Sequence, residues 1–172
     1  MHKKISLLLV LLLSTSAVFA AKGKIPPAPN GIEFPADYPD WKVISVSYRT
    51  DHHSLRAILG NPIAVKAARN GKTNPWPDGA VLGKVVWKEG TEEKWPAAIA
   101  PQAFIHAEFM FKDAKKYADN GTGWGWARWV GNEQKPYGKD KTFSQECISC
   151  HVPVKGNDWV FTKPAVFPTV FK

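Results

Sequence analysis

Alternating apolar and polar residues predict four β-strands between residues 41 and 130. In the first run, the alternation places Ile44, Val46 and Tyr48 on one face. The second run is apolar and β-branched around a charged residue, Lys84. The four runs are WKVISVSYR at 41–49, AVLGKVVWK at 80–88, QAFIHAEFMF at 102–111 and WGWARWV at 124–130.

The third and fourth runs carry ionisable side chains on defined faces. In the third run, one face holds Phe104, His106, Glu108 and Met110, and the other holds Ala103, Ile105, Ala107 and Phe109. In the fourth run, Trp124, Trp126 and Arg128 share one side of the strand.

Two segments carry helix punctuation. Asn61 can cap a helix in NPIAVKAARNG, with Pro62 at its first position and Asn70-Gly71 at its end. Asp113 can cap a second short helix, DAKKYA. The chain from about Gly131 onward is loop-rich and contains the cysteines. These elements predict an α+β fold that is mainly β, with one antiparallel sheet, a few short flanking helices and a loop-rich segment around the cysteines.

The first 20 residues have the three parts of an export signal. His2, Lys3 and Lys4 form a basic region, ISLLLVLLL is apolar, and STSAVFA ends in small residues. A transmembrane helix needs about twenty apolar residues, and this run is too short. A signal peptide over 1–20 that is cleaved is the favoured interpretation, and a retained anchor is the alternative. We therefore expect a periplasmic protein with no membrane span after cleavage.

The rest of the chain predicts a leader and one domain. Residues 21–31 are rich in Pro and Gly and predict a flexible leader. Residues 32–172 show neither a repeat nor a linker. Loss of Lys3 and Lys4 with the signal would lower the formal net charge from +8 to +6. Without a basic helix or stacking aromatics, this charge does not indicate nucleic-acid binding. It suits an acidic redox partner, or it is a solvated lysine-rich surface.

The strongest chemical signal is the run Cys147-Ile-Ser-Cys150-His151, which contains the only two cysteines. A CxxC pair can form a redox disulfide or supply half of a zinc site. Followed directly by histidine, it is the attachment signature of a c-type haem. The thiols would then form thioethers and His151 would be the axial iron ligand. An export signal fits this interpretation, so we expect one covalently attached haem c.

The ligand on the other side of the iron is left open by the sequence. An electron-transfer cytochrome generally has a second strong ligand, often Met or His. The candidates are Met110, His52, His53 and His106, and none lies in an evident ligand loop. A sixth position without a protein ligand would favour binding or catalysis over electron transfer.

Several ordered motifs resemble the cytochrome P460 family, which includes the cytochromes c-prime-beta. These are WPDGAVLGK, AEFMFKDAKKYA, GWGWARW, and ECISCH followed by DWVFT, and they span roughly Tyr38 to Phe161. The resemblance implies a mainly antiparallel β fold, a homodimer and one five-coordinate c-type haem. In the P460 members, the lysine of DG-x-x-x-x-K is bonded to the haem macrocycle. That motif here runs from Asp78 to Lys84.

The resemblance assigns roles to three further positions. Lys84 would be bonded to the haem, whereas spacing alone favours a lysine that extends to the sheet edge and stays solvated. Glu108 matches the family's distal carboxylate, and an apolar setting would raise its pKa. The alternative for Glu108 is a salt bridge with Lys112 or Arg128. Arg56 would bind a haem propionate or line the distal entrance.

Three functions are compatible with these features. The leading hypothesis is hydroxylamine oxidation, with Glu108 and Lys84 as catalytic residues and an external electron acceptor. The second is nitric oxide binding without catalysis, at a distal site that Phe104, Phe109 and Phe111 could wall, although core packing is expected for at least two of them. The third is electron transfer by a low-spin haem.

Overall fold

A six-stranded antiparallel sheet is the framework of the computed structural model, which describes residues 23–168. The strands lie in chain order, so each one pairs with its neighbour in sequence. This architecture confirms the predicted α+β, mainly β fold class. The strands are β1 (Lys42–Arg49), β2 (Ser54–Gly60), β3 (Val81–Glu92), β4 (Trp95–Lys112), β5 (Trp124–Val130) and β6 (Lys135–Pro136).

Two α-helices flank the sheet in the described residues, α1 (Pro62–Arg69) and α2 (Ser144–His151). Helix α1 begins as predicted, because the Asn61 side chain accepts a hydrogen bond from the Ala64 backbone nitrogen. It ends at the predicted Asn70-Gly71 step. Helix α2 lies within the segment that was predicted to be loop-rich, and it carries both cysteines.

The predicted helix DAKKYA is instead a turn. Asp113 does cap it, since its Oδ1 accepts hydrogen bonds from the backbone nitrogens of Lys115 and Lys116. The turn leads into the 3-10 segment Ala118–Asn120, which ends at Gly121 in a left-handed conformation. Short 3-10 segments occupy Tyr38–Asp40, Ala118–Asn120, Lys141–Phe143 and Val152–Asn157.

The predicted face of β1 is wrong because the strand contains a bulge. Val43 pairs with Leu59 and Ser45 pairs with Ile58, so Ile44 has no partner of its own on β2. The alternation of faces therefore shifts by one residue after Ile44. Ile44 is buried as expected, whereas Val46 and Tyr48 are exposed on the other face.

Each face of the sheet carries its own core. The helix-side core lies under α1 and α2, and the leader-side core lies under residues 25–41. The helix-side core contains Ile44, Ile58, Leu82, Trp124, Trp126, Ile148 and Val160. The leader-side core contains Ala28, Ile32, Ala107, Phe109, Ala127, Trp129 and Phe143. Phe104 and Phe111 also pack against the leader-side core. The predicted face of Phe104 is therefore wrong, because a register shift lies between Phe104 and His106.

From Ile25 onward, the chain before β1 packs against the sheet. It does not form the flexible leader that was predicted there. Trp129 donates a hydrogen bond from Nε1 to the Pro26 carbonyl at 2.9 Å, and Ala28 is buried. The predicted signal peptide over 1–20 lies outside the described residues. Between residues 23 and 168, no helix has the length and apolar character needed to cross a membrane.

Candidate functional site

A cavity of about 390 Å³ lies between the helix-side face of the sheet and helix α2. The candidate site residues from the sequence all line it: Arg56, Lys84, Glu108, Cys147, Cys150 and His151. Its apolar wall includes Ile58, Leu82, Met110, Trp126, Val160 and Phe161. A mostly apolar cavity of this size with a few polar groups is typical of a cofactor site.

Strand register places three charged side chains in a row along the cavity. Lys84 of β3 lies directly opposite Glu108 of β4, and Glu108 lies directly opposite Arg128 of β5. Directly opposed residues in an antiparallel sheet point to the same face, so the three side chains meet. The sequence predicted the faces of Glu108 and Arg128 correctly.

Glu108 is an ion-paired carboxylate, which corrects the expectation that its pKa is raised. It contacts Lys84 Nζ, and its Oε1 lies 2.6 Å from Arg128 Nε. Burial raises the pKa of Glu108, but the positive charges of Lys84 and Arg128 outweigh burial and lower it to about 2. The carboxylate is therefore ionised at neutral pH. Lys112, the other partner considered, pairs with Asp158 instead.

Lys84 is neither buried alone nor freely solvated. Its side chain is 29% exposed, and its ammonium reaches the carboxylate of Glu108. This partner offsets the cost of placing a charge in an apolar strand. His106 Nε2 lies 3.5 Å from Glu108 Oε1, the oxygen that also lies near Arg128. Burial lowers the pKa of His106, which favours a neutral imidazole beside the cavity.

Two arginines at the cavity have unused hydrogen-bonding capacity. Arg56 Nε is buried and makes no hydrogen bond within the described residues. Arg128 Nε is close to Glu108, but without hydrogen-bond geometry, and its guanidinium lies 4.5 Å from the Tyr137 ring centre. Burial also lowers the pKa of Arg56, although a guanidinium remains charged. A buried donor without a partner at a cavity wall indicates a missing acceptor, such as a ligand carboxylate.

Helix α2 aligns the residues of the CxxCH motif. Cys147 lies three residues before Cys150 and four before His151, so the three side chains occupy one helix face. Burial raises the pKa of the Cys147 thiol to about 11, which keeps it protonated. Both cysteines are free thiols, with Cys147 half-buried and Cys150 exposed.

His151 has the environment of a metal-ligating histidine. Its Nδ1 lies 2.6 Å from the Trp159 carbonyl oxygen, a geometry in which Nδ1–H donates and Nε2 is left as the acceptor. The rings of Trp126 and Phe161 pack edge-on against the imidazole, with centroids 4.7 and 5.0 Å away. Burial lowers the pKa of His151, so the neutral form is favoured.

These residues fit a c-type haem better than zinc. A haem needs an apolar cavity, two thiols, one imidazole and cationic partners for its propionates, and the cavity offers each of them. In residues 23–168 no group of three or more His, Cys, Asp or Glu side chains is arranged to hold a metal ion, so a zinc site lacks ligands. Of the four candidates for a sixth ligand, Met110 alone lines the cavity.

Comparison with known families favours the haem interpretation over the zinc interpretation. A family model, Cytochrome P460, matches residues 35–162, well over half of the chain. The chain belongs to the cytochrome P460 family. The match confirms the predicted resemblance, and it covers Lys84, Glu108 and the CxxCH motif. Membership of a cytochrome family implies a haem cofactor. Among individual curated proteins there is no match to the chain.

Sequence reasoning missed several residues around this P460 site. Ser47 and Arg49 line the cavity only because the β1 bulge turns them toward it. The Trp159 carbonyl oxygen lies 2.6 Å from Nδ1 of the CxxCH histidine, and Asp158 precedes Trp159 in the same turn. No local sequence motif marks either residue. The one signal was DWVFT, which was part of the family resemblance without an assigned function.

Proposed function

We propose that the chain is an exported c-type cytochrome with one haem that oxidises hydroxylamine, or a related small nitrogen species, and passes the electrons to an external acceptor. One observation carries the proposal: Glu108 and Lys84 line the same cavity as Cys147, Cys150 and His151. A carboxylate beside the cofactor provides the proton acceptor that oxidation of N–H and O–H bonds requires.

The residues that would hold the haem follow from the site. Cys147 and Cys150 would form the thioether bonds, and His151 would bind iron through Nε2, since Nδ1 is engaged by Trp159. Arg56, with its unpartnered Nε, would bind a propionate. The haem would supply an iron that binds the nitrogen of the substrate and withdraws its electrons.

Glu108 would accept protons from the substrate, and Lys84 would set how basic that carboxylate is. While Lys84 is an ammonium, its charge helps to keep the pKa of Glu108 near 2, which makes a weak base. A Lys84 nitrogen bonded to the haem edge, as the family resemblance implies, no longer carries that charge. The pKa of Glu108 then rises toward the range that suits proton transfer near neutral pH.

The setting of this activity also belongs to the proposal. The export signal predicted over 1–20 supports a periplasmic location, where c-type haem is attached. The family resemblance supports a homodimer. The positive formal charge of the chain suits an acceptor cytochrome or other redox protein with an acidic surface.

The test compares the wild-type protein, expressed with haem-attachment machinery, with Glu108→Gln and the control Glu133→Gln. Glu133 is an exposed glutamate remote from the cavity. Denatured wild-type protein should have the mass of the chain plus one haem, with a further loss of hydrogen if Lys84 is bonded to it. All three proteins should carry haem, and Glu108→Gln should lose about 100-fold or more in hydroxylamine turnover, because that is the usual contribution of a general base.

Two results would reject the proposal. A wild-type protein that matures without haem would remove the cofactor assignment altogether. Full turnover by Glu108→Gln would remove the carboxylate from the mechanism while leaving the haem assignment intact.

A second function, nitric oxide binding without catalysis, is favoured by one observation. The cavity wall is mostly apolar, and an apolar site suits a small neutral ligand such as nitric oxide. A mass without the extra hydrogen loss, a normal ferrous c-type spectrum and tight nitric oxide binding would support this function. A low-spin spectrum would instead indicate Met110 as the sixth ligand and an electron carrier.

A further inference from the structure

Lys112 and Asp158 form the most deeply buried ion pair among the described residues, and the proposed chemistry does not use it. Lys112 Nζ lies 2.6 Å from Asp158 Oδ1, and the two side chains are only 7% and 10% exposed. Removing two charges from water costs several kcal/mol per ion, and good geometry with additional hydrogen bonds is needed to offset it. The ion pair is therefore stable only with well-placed partners, and those partners connect it to the segment that contacts His151.

Three parts of the fold hold Asp158 in place. Lys112, at the end of β4, binds one carboxylate oxygen, and the Trp76 backbone nitrogen donates to the other at 2.8 Å. Trp124 of β5 donates from Nε1 to the Asp158 carbonyl at 2.9 Å. The Lys112 ammonium also lies 4.9 Å from the Trp124 ring centre.

The backbone at Asp158 has an uncommon shape that needs such support. Asp158 and Trp159 both have left-handed conformations, with φ of 48° and 65°. Each such non-glycine residue is strained and persists only where its surroundings impose the conformation. The two together turn the chain so that the Trp159 carbonyl lies 2.6 Å from His151 Nδ1.

We infer that Lys112 and Asp158 are positioning residues for the axial histidine: their ion pair fixes the turn that presents the Trp159 carbonyl to His151. Glu108 and Lys112 both belong to β4, so one strand carries the carboxylate at the cavity and anchors the segment behind His151. This inference rests on the haem part of the proposed function and is independent of hydroxylamine oxidation.

The expected effect on the haem follows from ligand basicity. A histidine that donates Nδ1–H to a carbonyl is a more basic ligand, and a more basic axial ligand stabilises ferric over ferrous iron. Loss of the ion pair should release the turn, weaken this hydrogen bond and raise the reduction potential.

A pure charge effect predicts a different pattern. Removing the positive charge of Lys112 would lower the potential, whereas removing the negative charge of Asp158 would raise it. Positioning therefore predicts shifts of the same sign in the two variants, and simple electrostatics predicts opposite signs.

The experiment uses the haem-loaded protein and the variants Lys112→Met and Asp158→Asn. Lys112→Arg keeps the cation, and Lys115→Met removes an exposed lysine from the following turn as a matched control. The measurements are the reduction potential, the iron–histidine stretching frequency of the ferrous protein and the denatured mass. Lys112→Met and Asp158→Asn should both raise the potential and lower the stretching frequency, and the two controls should match the wild type.

A single variant that fails to fold because it buries a lone charge is replaced by the double variant Lys112→Met, Asp158→Asn, which removes both charges. The double variant removes one positive and one negative charge, so their electrostatic effects on the haem nearly cancel. A raised reduction potential in this variant therefore supports positioning. Opposite shifts in the single variants, or an unchanged potential and stretching frequency despite lower stability, would overturn the inference. A wild-type protein without haem would overturn the proposed function as well, which distinguishes the two failures.

Discussion

Glu108 shows how a neighbouring residue decides what a carboxylate can do. Its place on an apolar strand predicted a raised pKa, and burial does act in that direction. The strand partners Lys84 and Arg128 reverse the outcome because both charges lie across from it in register. The same carboxylate is thus a weak base beside a lysine ammonium and a stronger one once that charge is removed.

The lowered pKa of Glu108 predicts a pH dependence of stability. Because the pKa falls from 4.5 to about 2 on folding, Glu108 stabilises the folded state above pH 4.5 and loses this contribution as the pH falls toward 2. In the protein without haem, where Lys84 keeps its ammonium, the difference in unfolding free energy between wild type and Glu108→Gln should therefore shrink over that interval, as measured by urea unfolding. A difference that stays constant from pH 6 to pH 2 would contradict the ion pairing.

Single residues with distinctive chemistry were predictable from the sequence, and residues that act through geometry were not. Cys147, Cys150 and His151 form a motif, and Lys84 is conspicuous because it interrupts an apolar strand. Asp158 is an ordinary residue in a loop, and its importance comes from partners that lie dozens of positions away along the chain. No local pattern encodes such a set of contacts.

At the scale of secondary structure, bulges explain the errors in strand faces, whereas β2 and helix α2 were not predicted at all. The predicted bounds of β1 and β5 agree closely with the structure, whereas β3 extends to Glu92, four residues past its predicted end. The extra residue in β1 and the shift in β4 next to His106 invert the faces beyond them without changing composition. Helix α2 was missed because SQECISCH has little apolar periodicity, and it is held by Ile148 in the helix-side core.

Asn61 links helix α1 to the strand that carries Lys84. Its Oδ1 accepts hydrogen bonds from the Ala64 and Val81 nitrogens, and its Nδ2 donates to the Gly79 carbonyl. Asn61→Ala loses all three and should cost about 2 kcal/mol, the upper end for a helix cap. Asn61→Asp keeps both accepted bonds and should cost clearly less. Equal unfolding free energies for the two variants in urea would contradict this dual role.

For the whole molecule, the two cores on opposite faces separate stability from cofactor binding. A Cβ added at Gly83 would lie 2.9 Å from the Phe109 ring in the leader-side core, on the face away from the cavity. Gly83→Ala should therefore lower the unfolding free energy by about 1–3 kcal/mol, the usual cost of overpacking, without reducing haem content.

Gly156→Ala is the matched control for that change, because nothing lies within 4 Å of its added Cβ. It should leave stability within about 0.5 kcal/mol of the wild type. Urea unfolding and the haem absorbance per chain measure the two quantities. A loss of haem in Gly83→Ala at full stability would show that the two faces are not independent.

The opposed placement of Lys84 and Glu108 also has a consequence for how the sheet assembles. If β4 slipped by one residue against β3, Glu108 would turn toward the aromatic rings of the leader-side core and Phe109 would turn toward the cavity. Such a mispaired hairpin would bury a lone carboxylate and expose a large ring to water. The charges that serve the finished site therefore also discriminate against misaligned hairpins before any cofactor has arrived.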